Sequence, residues 1–154
     1  MIPEFFDKKT HEKIAEELKE NFGIERIPEK IMISGKEKMR AFTGNLTKEE
    51  LRKLSEITFI ESIGLYIMNW QNDEIRLTID GATFFKDQIK KGIFEMNDKQ
   101  FEEWMHGKDL EIKNEERGFR VMKYKKDFFG MGKLSAEKIS NFVPKSRRIR
   151  TMEI

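Results

Sequence analysis

The chain has 154 residues, of which 30 are Lys or Arg, 28 are Asp or Glu and none is Cys. This length is enough for one domain or two small ones with a buried core, and the lack of cysteine excludes disulfides, Cys-ligated metal sites and thiolate nucleophiles. No apolar run approaches the roughly 20 residues that span a bilayer, and the sequence starts without a secretory signal pattern. We therefore expect a cytoplasmic protein with no membrane partner.

The N-terminal part shows two clear helix signals and one hairpin signal. Apolar residues at helical spacing predict a helix over residues 10–22, which Gly23 ends. Short apolar runs before and after Gly35 predict a hairpin. Thr47 and Glu50 match a capping box, in which each side chain bonds to the other residue's backbone N–H, and so predict a helix that runs to about residue 55.

The next stretch is rich in β-branched and aromatic residues. Residues 57–70 predict one long strand or two short ones, and the alternation of residues 75–79 predicts another strand. We expect Asp80 to cap a short helix that contains Phe84 and Phe85.

A second unit is predicted to begin at residue 88. Asn97 or Asp98 caps a predicted helix that carries Trp104 and ends at Gly107. Short strands with tight turns, as in a small barrel, are then predicted at residues 110–112 and 119–124. Residues 128–133 and a short segment over residues 135–142 follow, to which no element is assigned, and the alternation of residues 147–154 predicts a final strand. The sequence therefore predicts an α+β fold, with a mixed α/β domain over residues 1–87 and a mainly β domain over residues 88–154.

Charge is distributed unevenly along the chain. Residues 1–116 carry 19 Lys or Arg and 25 Asp or Glu, whereas residues 117–154 carry 11 and 3. Aromatic residues lie between the cations of this basic part. Such an asymmetry is typical of proteins that bind polyanions, because Lys and Arg neutralise phosphates. A basic face that only keeps the protein in solution is the simpler alternative.

No motif for catalysis or cofactor binding is present. His11 and His106 lie in neither a serine-hydrolase nor a metalloprotease motif, and the chain contains no phosphate-binding loop or dinucleotide fingerprint. Neighbouring carboxylates such as Glu102 and Glu103 do not face each other across a helix. We therefore predict no catalytic residue, no metal site and no cofactor.

Seven blocks of residues together carry a resemblance to a known family. They are RAFTGNL (40–46), IGLY (63–66), IRLT (75–78), WMHGKDL (104–110), GF (118–119), DFFGMGK (127–133) and NFVPKSRRIR (141–150). In this order they resemble the PUA-like RNA-binding module of RsmF/NSUN-type RNA 5-methylcytosine methyltransferases. The layout is also similar to small archaeal and eukaryotic ribosome-assembly factors that consist of a pre-PUA and a PUA domain.

The resemblance implies a pre-PUA-like domain over residues 1–87 and a PUA-like β pseudo-barrel over residues 88–154. Those methyltransferases also have a domain for S-adenosylmethionine and a catalytic cysteine, and this chain has neither. The resemblance therefore implies the RNA-binding part of such a protein without its catalytic part.

The resemblance also implies which residues contact RNA. It brings Gly130, Gly132 and Lys133 near RNA. The cations that it implies to face the phosphates are Lys145, Arg147, Arg148 and Arg150, and Lys90 and Lys91 contribute from the start of the PUA domain. With the interleaved lysines of the basic part, the predicted RNA-binding residues are Lys90, Lys91, Lys123, Lys125, Gly130, Gly132, Lys133, Lys145, Arg147, Arg148 and Arg150. Arg148 and Arg150 share one face of the last predicted strand.

The function that we predict is RNA binding without catalysis. The partner is rRNA or tRNA, and the process is ribosome assembly or RNA modification. The main alternative is a protein-interaction module, in which the acidic N-terminal part docks on a separate RNA methyltransferase or a ribosome-assembly factor. An enzyme of unrecognised type is the third alternative.

Overall fold

Short helices and two antiparallel-rich sheets make up the protein, according to a computed structural model that describes residues 4–58 and 63–150. The helices are α1 (Lys8–Phe22), α2 (Lys48–Ile57), α3 (Ile79–Phe84) and α4 (Asp98–Met105), with 3₁₀ turns at Lys86–Gln88 and Lys145–Arg147. The strands are β1 (Glu4–Phe5), β2 (Ile31–Ser34), β3 (Lys38–Ala41), β4 (Leu65–Gln71), β5 (Glu74–Leu77), β6 (Ile93–Glu95), β7 (Leu110–Glu111), β8 (Gly118–Tyr124), β9 (Asp127–Leu134) and β10 (Lys138–Asn141).

Side-chain caps begin the helices, as the sequence predicts in two of three places. The Thr47 hydroxyl and the Glu50 carboxylate form the complete capping box of α2, and Asn97 forms a similar box at α4. The prediction that Asp80 caps the third helix is wrong. Thr78 is the cap, because its hydroxyl accepts a 2.9 Å hydrogen bond from the Gly81 N–H.

The first sheet has the strand order β1-β2-β3-β4-β5, and each neighbouring pair is antiparallel. The predicted hairpin is β2–β3. One face of this sheet packs against α1 through Ile14, Leu18 and Phe22, all of which are buried. The opposite face carries polar side chains where β3, β4 and β5 run side by side.

The second sheet has the order β6-β8-β9-β10-β7 and curls into half a barrel. β6 is parallel to β8, whereas the other neighbouring pairs are antiparallel. Helix α4 covers one side and inserts the fully buried Trp104, whose indole N–H donates to the Phe129 carbonyl oxygen over 3.0 Å. Met122, Leu134 and Ile139 belong to the same apolar cluster.

The two sheets share one apolar core. Val121, Phe128 and Met131 of the second sheet belong to the cluster that also holds Ile14 and Phe85. The burial of this shared apolar surface fixes the sheets against each other, since removing apolar area from water is favourable. At the junction of the sheets, Lys133 of β9 pairs with Glu74 of β5 over 2.9 Å.

The structure confirms an α+β fold and corrects the sequence prediction at two further places. Residues 147–150 form no strand: Arg147 ends the 3₁₀ turn and residues 148–150 follow it as irregular backbone, while residues 151–154 lie outside the described part. Ile57 ends α2 instead of beginning a strand, and β4 starts only at Leu65. Residues 59–62 of that predicted strand also lie outside the described part.

Candidate nucleic-acid interface

After β10 the chain continues over the surface as a short basic segment. We call this stretch the C-terminal basic segment. Its four cations are Lys145, Arg147, Arg148 and Arg150. At its start the Asn141 amide oxygen accepts a 2.7 Å hydrogen bond from the Val143 N–H. Near its end the Ile149 N–H donates to the Met105 carbonyl oxygen over 2.8 Å. The segment is therefore held at both ends, while three of its four cations are exposed.

Arg148 differs from the other three cations because it is half-buried. Its Nε donates to the Val143 carbonyl oxygen over 3.1 Å. The guanidinium also lies so close to Gly107 that a Cβ there would collide with it. Arg148 therefore fastens the segment to the end of α4, and its loss would disturb the segment's position as well as its charge.

A cavity of about 240 Å³ lies beside the segment, between the first and second sheets. Its lining combines aromatic rings with charged groups: Tyr66, Phe129, Phe142, Arg76, Asp80 and Arg147. Arg147 Nη1 donates to Asp80 Oδ1 over 3.1 Å, and both side chains are about half exposed. The basic segment and the cavity are thus one continuous site.

A row of cations and aromatic rings leads from this cavity along the junction of the sheets. The Arg76 guanidinium carbon lies 4.6 Å from the centre of the Phe142 ring, and the Phe119 ring lies 6.0 Å from Phe142. Lys133 Nζ is 5.3 Å from the Phe119 ring centre and 2.9 Å from a Glu74 carboxylate oxygen. We call Arg76, Phe142, Phe119 and Lys133 the cation–aromatic row.

Arg76 is half-buried within this row. Burial lowers its pKa from the ordinary value, but an arginine remains charged at any pH at which the protein is folded. The negative face of the Phe142 ring attracts a cation and so compensates for part of the lost hydration. The row consequently presents a fixed positive charge next to an aromatic ring that is 37% exposed.

The polar face of the first sheet continues the site on the other side of the cavity. Lys38 Nζ lies 5.3 Å and the Arg40 guanidinium carbon 5.8 Å from the centre of the Tyr66 ring. The Tyr66 hydroxyl accepts a hydrogen bond from Asn69 over 3.3 Å. A second aromatic ring flanked by cations therefore borders the same cavity.

The two predicted glycines of β9 have different surroundings. Gly130 lines the cavity with φ of 77°, a backbone conformation that favours glycine, and lies against Ile79. Gly132 is buried, and a Cβ there would collide with Ile139 and lie 2.8 Å from the Trp104 ring. Gly130 thus belongs to the site's wall, whereas Gly132 serves the packing of α4 on the second sheet.

Two predicted lysines lie at the turn between β8 and β9. Lys123 Nζ is 3.8 Å from a Glu95 carboxylate oxygen, and Lys125 occupies the turn itself with φ of 56°. Lys125 Nζ lies 5.2 Å from the Tyr124 ring centre. Asp127, which begins β9, pairs with Lys86 over 2.6 Å.

Lys90 and Lys91 lie in another region, at the C-terminal end of α1. Their backbone N–H groups donate to the Phe22 carbonyl oxygen over 2.9 and 3.4 Å. Both side chains are exposed. Of the predicted residues, Gly130 and Arg147 therefore line the cavity. The other cations of the C-terminal basic segment lie on the adjoining chain, Lys133 lies along the cation–aromatic row, and Lys90, Lys91, Lys123 and Lys125 lie elsewhere.

Sequence reasoning missed several members of the site. Arg76, Asp80, Tyr66 and Glu74 come from the N-terminal part, to which no RNA-binding residue had been assigned. The one available signal is the alternation of β5, which puts Arg76 on the opposite face from the buried Ile75 and Leu77. That alternation indicates that one face of the first sheet is polar. It does not indicate which part of the chain packs beside that face.

Within residues 4–58 and 63–150, no three side chains of His, Asp or Glu come together in a way that could hold a metal ion. Over the same ranges, no helix combines the length and apolar character needed to cross a bilayer.

Part of the chain matches a known protein family. Residues 91–149 match the family model of the methyltransferase RsmF PUA domain. The match includes the second sheet, α4 and most of the C-terminal basic segment, and it confirms the resemblance to a PUA-like module of RsmF/NSUN-type methyltransferases in this part of the chain. It indicates RNA binding in a methyltransferase-related context. No curated protein matches the chain.

Proposed function

We propose that this protein binds rRNA or tRNA without catalysing a reaction, and acts in ribosome assembly or RNA modification. The observation that carries the proposal is the C-terminal basic segment, most of which lies in the part that matches a PUA domain, and whose Arg147 lines a cavity that also holds aromatic rings. Cations that neutralise phosphates give affinity, and unstacked bases bind to aromatic rings. Both groups that RNA requires are therefore present at one site.

The charges of the segment are suited to phosphates. Among the described residues, Lys145, Arg148 and Arg150 have no carboxylate within 4.0 Å, whereas Arg147 pairs with Asp80. Lys133 is paired as well, with Glu74. Exposed ion pairs of this kind contribute at most about 1 kcal/mol, so a phosphate competes for these cations at little cost.

We assign the RNA contacts mainly to a PUA-like domain over residues 88–154, next to a pre-PUA-like domain over residues 1–87. Gly130 and Lys133 border the central contact. Lys123 and Lys125, and separately Lys90 and Lys91, would reach only an RNA that extends beyond the cavity. The protein would work in the cytoplasm, where rRNA and tRNA are used, and would need no cofactor.

Salt dependence of RNA binding tests this proposal. A labelled, blunt RNA duplex is titrated with the protein at salt concentrations from about 50 to about 200 mM, and the affinity is measured by fluorescence anisotropy. With four phosphate contacts, the logarithm of the association constant falls with the logarithm of the salt concentration with a slope of about −3 to −4. Arg150→Ala should reduce that slope by about 1. Absent binding, or an affinity that is indifferent to salt, would contradict the proposal.

Sequencing of RNA crosslinked to the protein in cells identifies the RNA. Enrichment of rRNA or tRNA fragments is the expected result. Enrichment of neither class over total cellular RNA would contradict that part of the proposal.

A second candidate function is docking on a separate RNA methyltransferase or assembly factor. Helix α2 favours it, because Ile57 is 83% and Leu54 40% exposed on a short helix of the N-terminal part. Exposed apolar side chains close together are common at protein-protein interfaces. A pull-down in which a defined partner survives nuclease treatment but is lost in Ile57→Glu would favour this function.

A further inference from the structure

We propose that the cavity between the two sheets holds one unpaired RNA base, so that the protein recognises RNA at a bulged or flipped-out nucleotide. This inference rests on the proposed RNA binding and adds a specific site to it. It also brings the N-terminal part into the RNA contact, because Tyr66, Arg76 and Asp80 form one side of the cavity.

The size of the cavity suits a single base. Its volume is about 240 Å³. Pockets for drug-sized ligands measure about 300–1,000 Å³, so this one is large enough for one planar ring system and too small for a dinucleotide. Phe142 and Pro144 at its border are exposed, which leaves the cavity open to solvent.

The side chains of the cavity suit the two parts of a base. The flat faces of a base stack on aromatic rings or guanidinium planes. Phe142 and Arg76 offer one of each, with the guanidinium carbon 4.6 Å from the centre of the ring. The edges of a base need hydrogen-bond donors and acceptors. Asp80 and Arg147 pair with each other at one end of the cavity, and the carboxylate acceptors and guanidinium donors that this pair leaves over can bond to a base edge.

The surroundings of the cavity suit the nucleotide's backbone. Lys145 and Arg147 lie on the turn that borders the cavity, so the phosphates on one side of the inserted base would meet cations. Lys38 and Arg40 flank Tyr66 on the other side. A paired base cannot enter, since its edge and both faces are occupied inside a helix.

Two RNAs that differ in one nucleotide provide the test. One is a blunt duplex and the other is the same duplex with a single-nucleotide bulge. The bulged RNA should bind about tenfold more tightly, which corresponds to the stacking of one base on an aromatic platform. Both affinities are measured at the same salt concentration.

Three variants test whether the tenfold difference in affinity between the two RNAs arises from the cavity. Ser146→Phe adds a ring to an exposed residue of the cavity border and should reduce the tenfold ratio to about one while duplex affinity stays the same. Phe142→Ala removes the platform and should also reduce the ratio to about one; since Phe142 also contacts Arg76, only the ratio is compared for this variant. Ala136→Phe, at an exposed residue in the β9–β10 turn, is the matched control and should leave the ratio unchanged.

The outcomes separate this inference from the proposed function. Equal, salt-dependent binding of both RNAs by the unaltered protein would overturn the base site and leave RNA binding in place. A tenfold ratio that persists in Ser146→Phe would also overturn the site, because the bulge would then bind elsewhere. Binding of neither RNA would overturn both proposals. Melting curves of each variant check that it folds, and Ser146→Phe keeps the test valid if Phe142→Ala does not fold.

Discussion

The C-terminal basic segment and the turn between β8 and β9 contain similar numbers of cations but differ in what surrounds them. Lys123 near the end of β8, together with Lys125 and Lys126 in the turn itself, puts three cations within four positions. Carboxylates surround it: Glu95 is 3.8 Å from Lys123 Nζ, and Asp98 accepts a 2.6 Å hydrogen bond from the Tyr124 hydroxyl. The C-terminal basic segment borders an open cavity, and within residues 4–58 and 63–150 the ion pair that its cations form is Arg147 with Asp80.

This difference shows that a count of basic residues is insufficient to locate a binding surface. Nearby carboxylates weaken the local positive potential and so weaken the attraction for a phosphate. Aromatic rings next to the cations add a second type of contact, which only unpaired nucleotides can use. We therefore expect changes in the segment to affect RNA binding far more than equal changes in the turn.

The largest expected effect comes from the removal of three charges at each place. The triple variant Lys145→Ala, Arg147→Ala, Arg150→Ala should weaken binding of a blunt RNA duplex about 100-fold at about 0.15 M salt, since each phosphate contact contributes nearly one unit of salt slope. The slope itself should fall by about 2 to 3. Fluorescence anisotropy across a salt series measures both quantities.

The matched control is the triple variant Lys123→Ala, Lys125→Ala, Lys126→Ala, which removes the same charge from the turn. Its affinity should fall less than tenfold, because at most one of these lysines reaches a phosphate. Equal losses in the two triple variants would mean that net charge alone determines RNA binding and that the two regions do not differ.

The features predicted from the sequence are those that depend on neighbours along the chain. The capping box at Thr47 and the cap at Asn97, one of the two residues predicted to cap that helix, involve residues only three positions apart, and the hairpin β2–β3 depends on a local turn. The α+β class followed from such elements. The misplaced cap at Asp80 is also local: Thr78 lies two residues earlier and has the same capping chemistry.

The errors and omissions depend on contacts between distant parts of the chain. The alternation of residues 147–154 predicts a strand, but the Ile149 N–H bonds to a helix end, at Met105, and no neighbouring strand offers a ladder for residues 147–150. The cavity needs Arg76 and Asp80 to meet Phe142 and Arg147, more than 60 residues later. Only the packing of one sheet on the other creates that contact, and no local pattern records it.

A smaller effect is expected from the carboxylate that anchors the start of the C-terminal basic segment. Asp109 accepts a 2.8 Å hydrogen bond from the Asn141 N–H and pairs with Lys138 over 3.2 Å. The backbone hydrogen bond, followed by the Lys138 side chain, lowers the pKa of Asp109 below its ordinary value of 3.8. Asp109→Ala should reduce the free energy of unfolding by about 1 kcal/mol near neutral pH, since the site is partly exposed.

The pH dependence of this effect has a definite sign. Because the folded protein holds Asp109 at a lowered pKa, the ionised carboxylate stabilises the fold above pH 3.8, and this contribution is lost as the pH falls below that value. Urea unfolding of Asp109→Ala and the unaltered protein should therefore differ at neutral pH and converge in acid. Glu111→Ala, on the neighbouring strand, is the control; a loss of stability as large as that of Asp109→Ala would show that Asp109 has no special role.

The smallest expected effect is a gain of binding from the removal of one negative charge beside the C-terminal basic segment. Asp80→Asn takes away the ionised partner of Arg147 and leaves the cap of α3 intact, because Thr78 supplies that cap. Binding of a blunt RNA duplex should tighten about two- to fivefold and its salt slope should steepen by up to about 1. The comparable change at the turn, Glu95→Gln beside Lys123, should alter the affinity less than twofold, since the pair is 3.8 Å apart and lies away from the cavity. A loss of duplex affinity in Asp80→Asn would mean that Asp80 helps binding by holding Arg147 in position, and the segment would then depend on that ion pair and not on free positive charge.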